Sequence, residues 1–157
     1  MGRALIPELV AAGFEVHAVS RTATAVPQAV RSICADLLED DLSGYLPDVD
    51  AIVHLAGRAH IMRESGDHPE TEYMRQNCDL TRRLAESASR AGVRHLVFAS
   101  SIKVVGETSR SHPFSESTPC TPADAYGRSK LAAETALAKV ASDSELNVTI
   151  LRPPLMY

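Results

Sequence analysis

The chain has 157 residues, 45% of them hydrophobic but only 4% aromatic, with sixteen Lys and Arg against twenty Asp and Glu for a net charge of -4. That is enough apolar material for one ordinary domain, and the scattered basic residues offer no field for nucleic acid. No window approaches the roughly 20 apolar residues of a membrane helix, and Met1-Gly2-Arg3-Ala4-Leu5 lacks a signal-peptide layout, so no membrane partner and a cytoplasmic location are expected.

Residues 4 to 12 carry Leu5, Ile6, Leu9, Val10 and Ala12 at helical spacing and stop at Gly13, a natural left-handed cap. Phe14 to Val19 alternates as a strand. Val30 to Cys34 predicts a second short strand, and Ala51 to Ala56 a third, introduced by the acidic turn Pro47-Asp48-Val49-Asp50. Met74, Cys78, Thr81, Ala85 and Ala88 recur at helical spacing up to Gly92, and the apolar run His95 to Ala99 follows as a buried strand. Thr121-Pro122-Ala123-Asp124 has the composition of a helix start, with Thr121 as the N-cap and Pro122 at the first helical position. That helix runs to about Val140, Asn147 to Leu151 is the last strand, and Pro153-Pro154 ends it. Strands alternating with helices on short connections predict an α/β fold, with a parallel sheet covered on both faces.

Two long irregular stretches, Gly106 to Pro119 and residues 57 to 69, have the length of functional loops. Cys34, Cys78 and Cys120 are odd in number and widely spaced, which suits reduced packing residues. The six histidines lack the paired spacing of a zinc site, so no metal is expected.

The chemistry centres on Tyr126 and Lys130. Four residues apart on a helix, they share a face, so the ammonium can stabilise a phenolate while a hydroxyl from elsewhere holds the reacting oxygen. A tyrosine so placed can act as acid or base near neutral pH. Ser100 and Ser101 are the nearest candidates for that hydroxyl. Asn77 sits beside the apolar stripe of its helix, where an amide must find a partner or cost stability.

Taken together, Val53-His54-Leu55-Ala56-Gly57, Asn77, Phe98-Ala99-Ser100-Ser101, Tyr126-x-x-x-Lys130 and Leu151-Arg152-Pro153-Pro154 resemble the extended short-chain dehydrogenase/reductases. The branch they are most similar to is the NAD-dependent epimerase/dehydratases of nucleotide sugars. The resemblance covers essentially the whole chain and implies a Rossmann-like doubly wound parallel sheet, with residues 1 to 157 as an NAD(P)-binding domain. It implies that Tyr126 is the general acid/base, that Lys130 lowers its pKa and holds the nicotinamide ribose, and that Ser101 bonds the substrate oxygen. Ser101 is preferred over Ser100 because Ser101-Ile102-Lys103-Val104-Val105-Gly106 supplies the family's frame. Gly2, Arg21, Asp36, Leu37, Leu55, Ala56, Gly57, Asn77 and Pro153 are the further cofactor-binding residues that the resemblance implies, with Asp36-Leu37 at the adenine. An Asp at position 36 could equally begin a turn. His54, His60 and Lys103 are read as structural or rim residues, and Arg58 as a solvated charge.

Several positions depart from the family's pattern. Gly2 is all that remains of the glycine-rich turn, so the first strand is expected to be missing from a chain that is a fragment of a longer protein. The substrate-binding portion after the last strand is expected to be absent too, and this fragment alone to have weak or no activity. Arg21 stands where an acid usually selects NAD, leaving NAD(P) open with NAD favoured. Ile102 and Lys103 replace the Asp-Glu pair of the dehydratases, which disfavours dehydration, and Leu155 replaces an Asn that contacts substrate in UDP-galactose 4-epimerases. The expected activity is therefore epimerisation of a nucleotide sugar by transient hydride transfer. The alternatives are reduction of a 4-keto nucleotide sugar or related ketone and, in another class, non-catalytic dinucleotide binding. The resemblance is compatible with a homodimeric full-length protein.

Overall fold

A computed structural model describes residues 1–22, 25–58, 69–109 and 113–154. Most of the loop at 57 to 69, including His60, and Leu155 lie outside the described residues, as does part of the stretch from Gly106 to Pro119. The chain forms two compact units, Met1–Asp41 and Leu42–Tyr157.

In the first unit, helix α1 (Gly2–Ala11) ends at Gly13, whose φ of 87° is the left-handed cap expected there. The Phe14 N–H closes that cap on the Leu9 carbonyl, so strand β1 (Val16–Ser20) begins two residues later than the alternation suggests. It pairs in parallel with β2 (Val30–Cys34), Val16 opposite Val30 and Ser20 opposite Cys34.

The second unit holds a three-stranded parallel sheet in the order β3 (Ala51–His54), β4 (His95–Ala99), β5 (Asn147–Leu151). Its register sets His54 opposite Phe98 and Phe98 opposite Ile150. Between β3 and β4 runs a helical segment: α2 (Pro69–Tyr73), a π-helical stretch Met74–Asp79, and α3 (Leu80–Arg90). Sequence periodicity did not show the π stretch, because it inserts extra backbone without breaking the apolar stripe. Between β4 and β5 lies α4 (Ala125–Ser142).

The α4 start corrects an expectation. The N-cap is Asp124, whose Oδ1 accepts the Gly127 N–H at 2.6 Å, and not Thr121. Thr121 is engaged elsewhere, donating its hydroxyl to the Val105 carbonyl at 2.9 Å.

One face of this sheet packs under α3 and α4, with Leu96, Phe98, Ala85, Ala88, Ala133 and Leu137 fully buried. The expected cover on both faces is only partly present. Val53 and Leu151, which point to the opposite face, are 41% and 51% exposed. The described strands form two separate parallel sheets, β1-β2 and β3-β4-β5, the interruption that a missing first strand implies for a doubly wound sheet. No helix of the described residues is long and apolar enough to cross a membrane.

Candidate active site

The C-terminal ends of β3, β4 and β5 lie side by side, the edge where open parallel sheets hold ligands. The β4 and β5 ends are stitched together past the ladder: Ser100 N–H donates to the Leu151 carbonyl at 2.7 Å and Ile102 N–H to the Pro153 carbonyl at 3.0 Å. Pro153 thus fixes the turn that follows Ser101.

The two serines diverge. Ser100 is buried and donates its hydroxyl to Glu134 Oε1 at 2.5 Å. Glu134, also buried, receives Arg152 through Nε at 3.1 and 3.2 Å and Nη2 at 2.6 Å, a bidentate pair. Ser101 caps the short 3-10 turn Ile102–Val104, its Oγ accepting the Lys103 N–H at 3.2 Å, and it is hydrogen-bonded to the Tyr126 hydroxyl. The structure therefore brings Ser101 and Tyr126 together and commits Ser100 to a structural network.

Tyr126 stands in the first turn of α4, half-buried, with its ring edge-on to Tyr73 at 6.0 Å. Burial is the largest influence and holds its phenol above the ordinary 10.0; the Ser101 bond pulls it down, Asp124 pushes it up, and Lys103 pulls it down. Lys130 is buried, and its ammonium lies 4.1 Å from the centre of the Phe98 ring. Burial lowers it from 10.5 to about 8, with Glu134 opposing, so it stays charged at neutral pH. In this arrangement burial acts most strongly on the phenol, and the Lys130 ammonium lies over Phe98.

His54 stacks on Phe98 at 5.5 Å and 25°. Its Nε2 lies 2.9 Å from Thr81 Oγ1, and Thr81 donates its own proton to the Asn77 carbonyl at 2.5 Å, which assigns the Nε2–H tautomer to His54. Burial first, then Lys130, lowers the His54 pKa from 6.5 to about 3. It is a neutral structural histidine at physiological pH.

Asn77 spends its amide on two neighbours. Oδ1 accepts the Arg58 N–H at 2.7 Å, while Nδ2 donates to the Arg58 carbonyl at 3.2 Å and to Ser129 Oγ at 2.9 Å. Ser129 in turn donates to the Tyr126 carbonyl at 2.8 Å. Asn77 thereby ties the turn after β3 to the helix of Tyr126 and Lys130. Gly57 makes this possible: a Cβ there would sit 2.7 Å from Asn77 Oδ1. Leu55 is half-buried beside it, and Ala56 and Gly57 are exposed at the strand end. Arg58 is no simple solvated charge; its guanidinium lies 5.3 Å from the Tyr73 ring centre, and its Nε is buried without a partner among the described residues.

The remaining expected residues belong to the first unit. Gly2 is the first residue of α1, and Arg21, exposed, follows β1 with its carbonyl accepting the Cys34 thiol at 3.4 Å. Asp36 begins a turn, its Oδ1 accepting the Leu38 N–H at 2.9 Å, with Leu37 half-buried next to it. That is the turn-forming alternative the sequence leaves open at position 36.

Sequence reading missed the supporting residues Asp124, Ser129, Glu134 and Thr81. Two had a signal: Asp124 precedes Gly127 by the three residues of a side-chain cap, and Glu134 follows Lys130 by one helical turn. Thr81 and Ser129 look like ordinary small helix residues until the sheet and helices meet.

The model of the NAD dependent epimerase/dehydratase family matches residues 1–157. A UDP-glucose 4-epimerase of Vibrio cholerae is 41% identical over 113 residues, 71% of this chain and 34% of that protein. UDP-glucose 4-epimerase 4 of Oryza sativa subsp. japonica is 33% identical and is matched over 97% of this chain and 45% of its own length. Among solved structures, MoeE5 in complex with UDP-glucuronic acid and NAD superposes with a TM-score of 0.86 at 35% identity, over 96% of this chain and 50% of MoeE5. A short-chain dehydrogenase/reductase superfamily protein of Agrobacterium tumefaciens with bound NAD gives 0.82 at 28% identity, over 96% of this chain and 45% of that one. The chain thus spans a third to a half of the length of these relatives. With the family pattern matched from end to end and the fold shared, the chain belongs to the NAD dependent epimerase/dehydratase family.

Proposed function

We propose that this chain is the cofactor-binding and catalytic part of a nucleotide-sugar epimerase that uses NAD, within a protein of about its relatives' length. The observation that carries the reading is the hydrogen bond between Ser101 and Tyr126, with Lys130 one turn along the same helix. The relatives in complex with NAD and UDP-sugars support the same choice of ligands.

The residues present suit a dinucleotide. Arg58 Nε is a buried donor without an acceptor among the described residues, and Lys130 carries a charge at the end of the sheet where such ligands bind. Leu55, Ala56, Gly57 and Pro153 would line the nicotinamide half, and Lys130 would hold its ribose. Bound there, the cofactor supplies a hydride acceptor that also returns the hydride. Asn77 acts mainly by holding residue 58 and the start of α4 in place.

In the reaction, Ser101 holds the reacting sugar oxygen and Tyr126 exchanges its proton. Burial keeps the free phenol protonated, the form that returns a proton to a keto oxygen. Taking a proton from the sugar hydroxyl requires positive charge near the phenolate; Lys103, which already pulls the phenol down, and Lys130, charged at neutral pH one turn along α4, would supply it. The test is the full-length protein with NAD and UDP-glucose or UDP-glucuronic acid. Epimer without net NADH supports the proposal, and stoichiometric formation of NADH together with a keto sugar replaces it with the reductase reading, run in reverse.

A further inference from the structure

The turn after Ser101 and the start of α4 meet through Lys103. The Lys103 ammonium bonds Asp124 Oδ2 at 2.8 Å and Glu107 Oε1 at 2.8 Å. Asp124 uses its other oxygen to cap α4 through the Gly127 N–H. The Lys103 backbone faces both ways: its N–H goes to Ser101 Oγ at 3.2 Å, and its carbonyl lies where a Cβ on residue 127 would approach to 2.7 Å. Gly127 therefore lets the first turn of α4 settle directly on this carbonyl. Lys103 is about one-quarter exposed and its two carboxylates more so or equally, so the pairing with Glu107 is the weaker anchor.

We infer that Lys103 is a positioning residue: by bonding Asp124, the cap of α4, while its backbone holds Ser101, it keeps the Ser101 hydroxyl on the Tyr126 phenol. The inference takes its catalytic meaning from the proposed function, but the contact itself is a property of this chain. A rim lysine would touch neither partner. Here one side chain joins the two segments that carry the hydroxyl pair, at the position where the dehydratase pattern would place an acid.

The groups that face Tyr126 define the experiment. Among the described residues these include Ser101 and Lys103 from the turn after β4, Asp124 ahead of α4, and the Tyr73 ring from α2. Lys130, on α4 itself, lies over Phe98. Tyrosine labelled with carbon-13 at Cζ in the full-length protein, with the Tyr126 signal identified by Tyr126→Phe, reports the phenol titration without any substrate. Lys103→Met is expected to shift the midpoint upward, and Lys103→Arg to restore it. In a Ser101→Ala background the Lys103→Met shift is expected to shrink, because the bond it protects is already gone. The same cycle with Asp124→Asn, which keeps the helix cap while removing the charge, is expected to be non-additive as well and guards against a Met variant that does not fold. Strictly additive shifts in these cycles mean that Lys103 acts by charge alone and overturn the inference. Because the readout needs no turnover, an inactive protein with coupled shifts would sink the proposed function and leave this inference standing.

Discussion

Acidification charges His54 inside the core, and the cost can be worked from its surroundings. Unfolded, the imidazole takes a proton near 6.5; folded, burial and the Lys130 ammonium delay this to about 3. Between those values the unfolded chain binds more protons, so stability falls as pH drops through that window, while above 6.5 His54 adds no pH dependence. At about 1.4 kcal/mol per pKa unit the loss is roughly 2 kcal/mol at pH 5 and roughly 3 kcal/mol at pH 4. That is a large share of the roughly 5–15 kcal/mol that holds a typical domain. His54→Gln removes the titration while keeping an amide donor for Thr81 Oγ1. Urea unfolding followed by circular dichroism at pH 7, 5 and 4 should show the wild type losing these amounts more than the variant, since the carboxylates contribute equally to both. Parallel curves would refute the reasoning, as would a His54 resonance titrating near 6.5.

Glu134→Ala strands Arg152 and releases the Ser100 hydroxyl, and a loss on the order of 3 kcal/mol is expected in urea unfolding at pH 7; a change within error would show the pair to be idle. Gly127→Ala forces a methyl against the Lys103 carbonyl and should cost about 1–3 kcal/mol, with a larger fall in turnover than in stability because Tyr126 shifts with the turn. Asn77→Ala frees the backbone N–H and carbonyl of Arg58 and takes from Ser129 Oγ the N–H it accepts. A destabilisation of about 1–3 kcal/mol is expected, with faster amide exchange at residue 58.

Much of this was legible in the chain. Each of the five strands of the described residues overlaps a stretch that reads as a strand, alternating in Phe14 to Val19 and a short run beside turn residues elsewhere, and the helix of Tyr126 and Lys130 followed from its spacing. Helix starts were harder, because Thr121 and Asp124 are both good caps and only the Val105 carbonyl, distant in sequence, decides which is free to serve. The π stretch that places Asn77 depends on tertiary contacts that no local pattern carries. The same holds for electrostatics: the Tyr126-x-x-x-Lys130 spacing suggests a direct pair, whereas packing puts the ammonium on Phe98 and leaves burial to set the phenol.

The proposed function rests on Ser101 and Tyr126 as the proton-handling pair of a nucleotide-sugar epimerase. Proton NMR of UDP-glucose or UDP-glucuronic acid incubated with NAD and the full-length protein, wild type beside Tyr126→Phe, tests it most directly. The epimer is expected to appear at constant NAD, at a rate about 10²–10⁴-fold lower in the variant. Equal rates in the two proteins would contradict it.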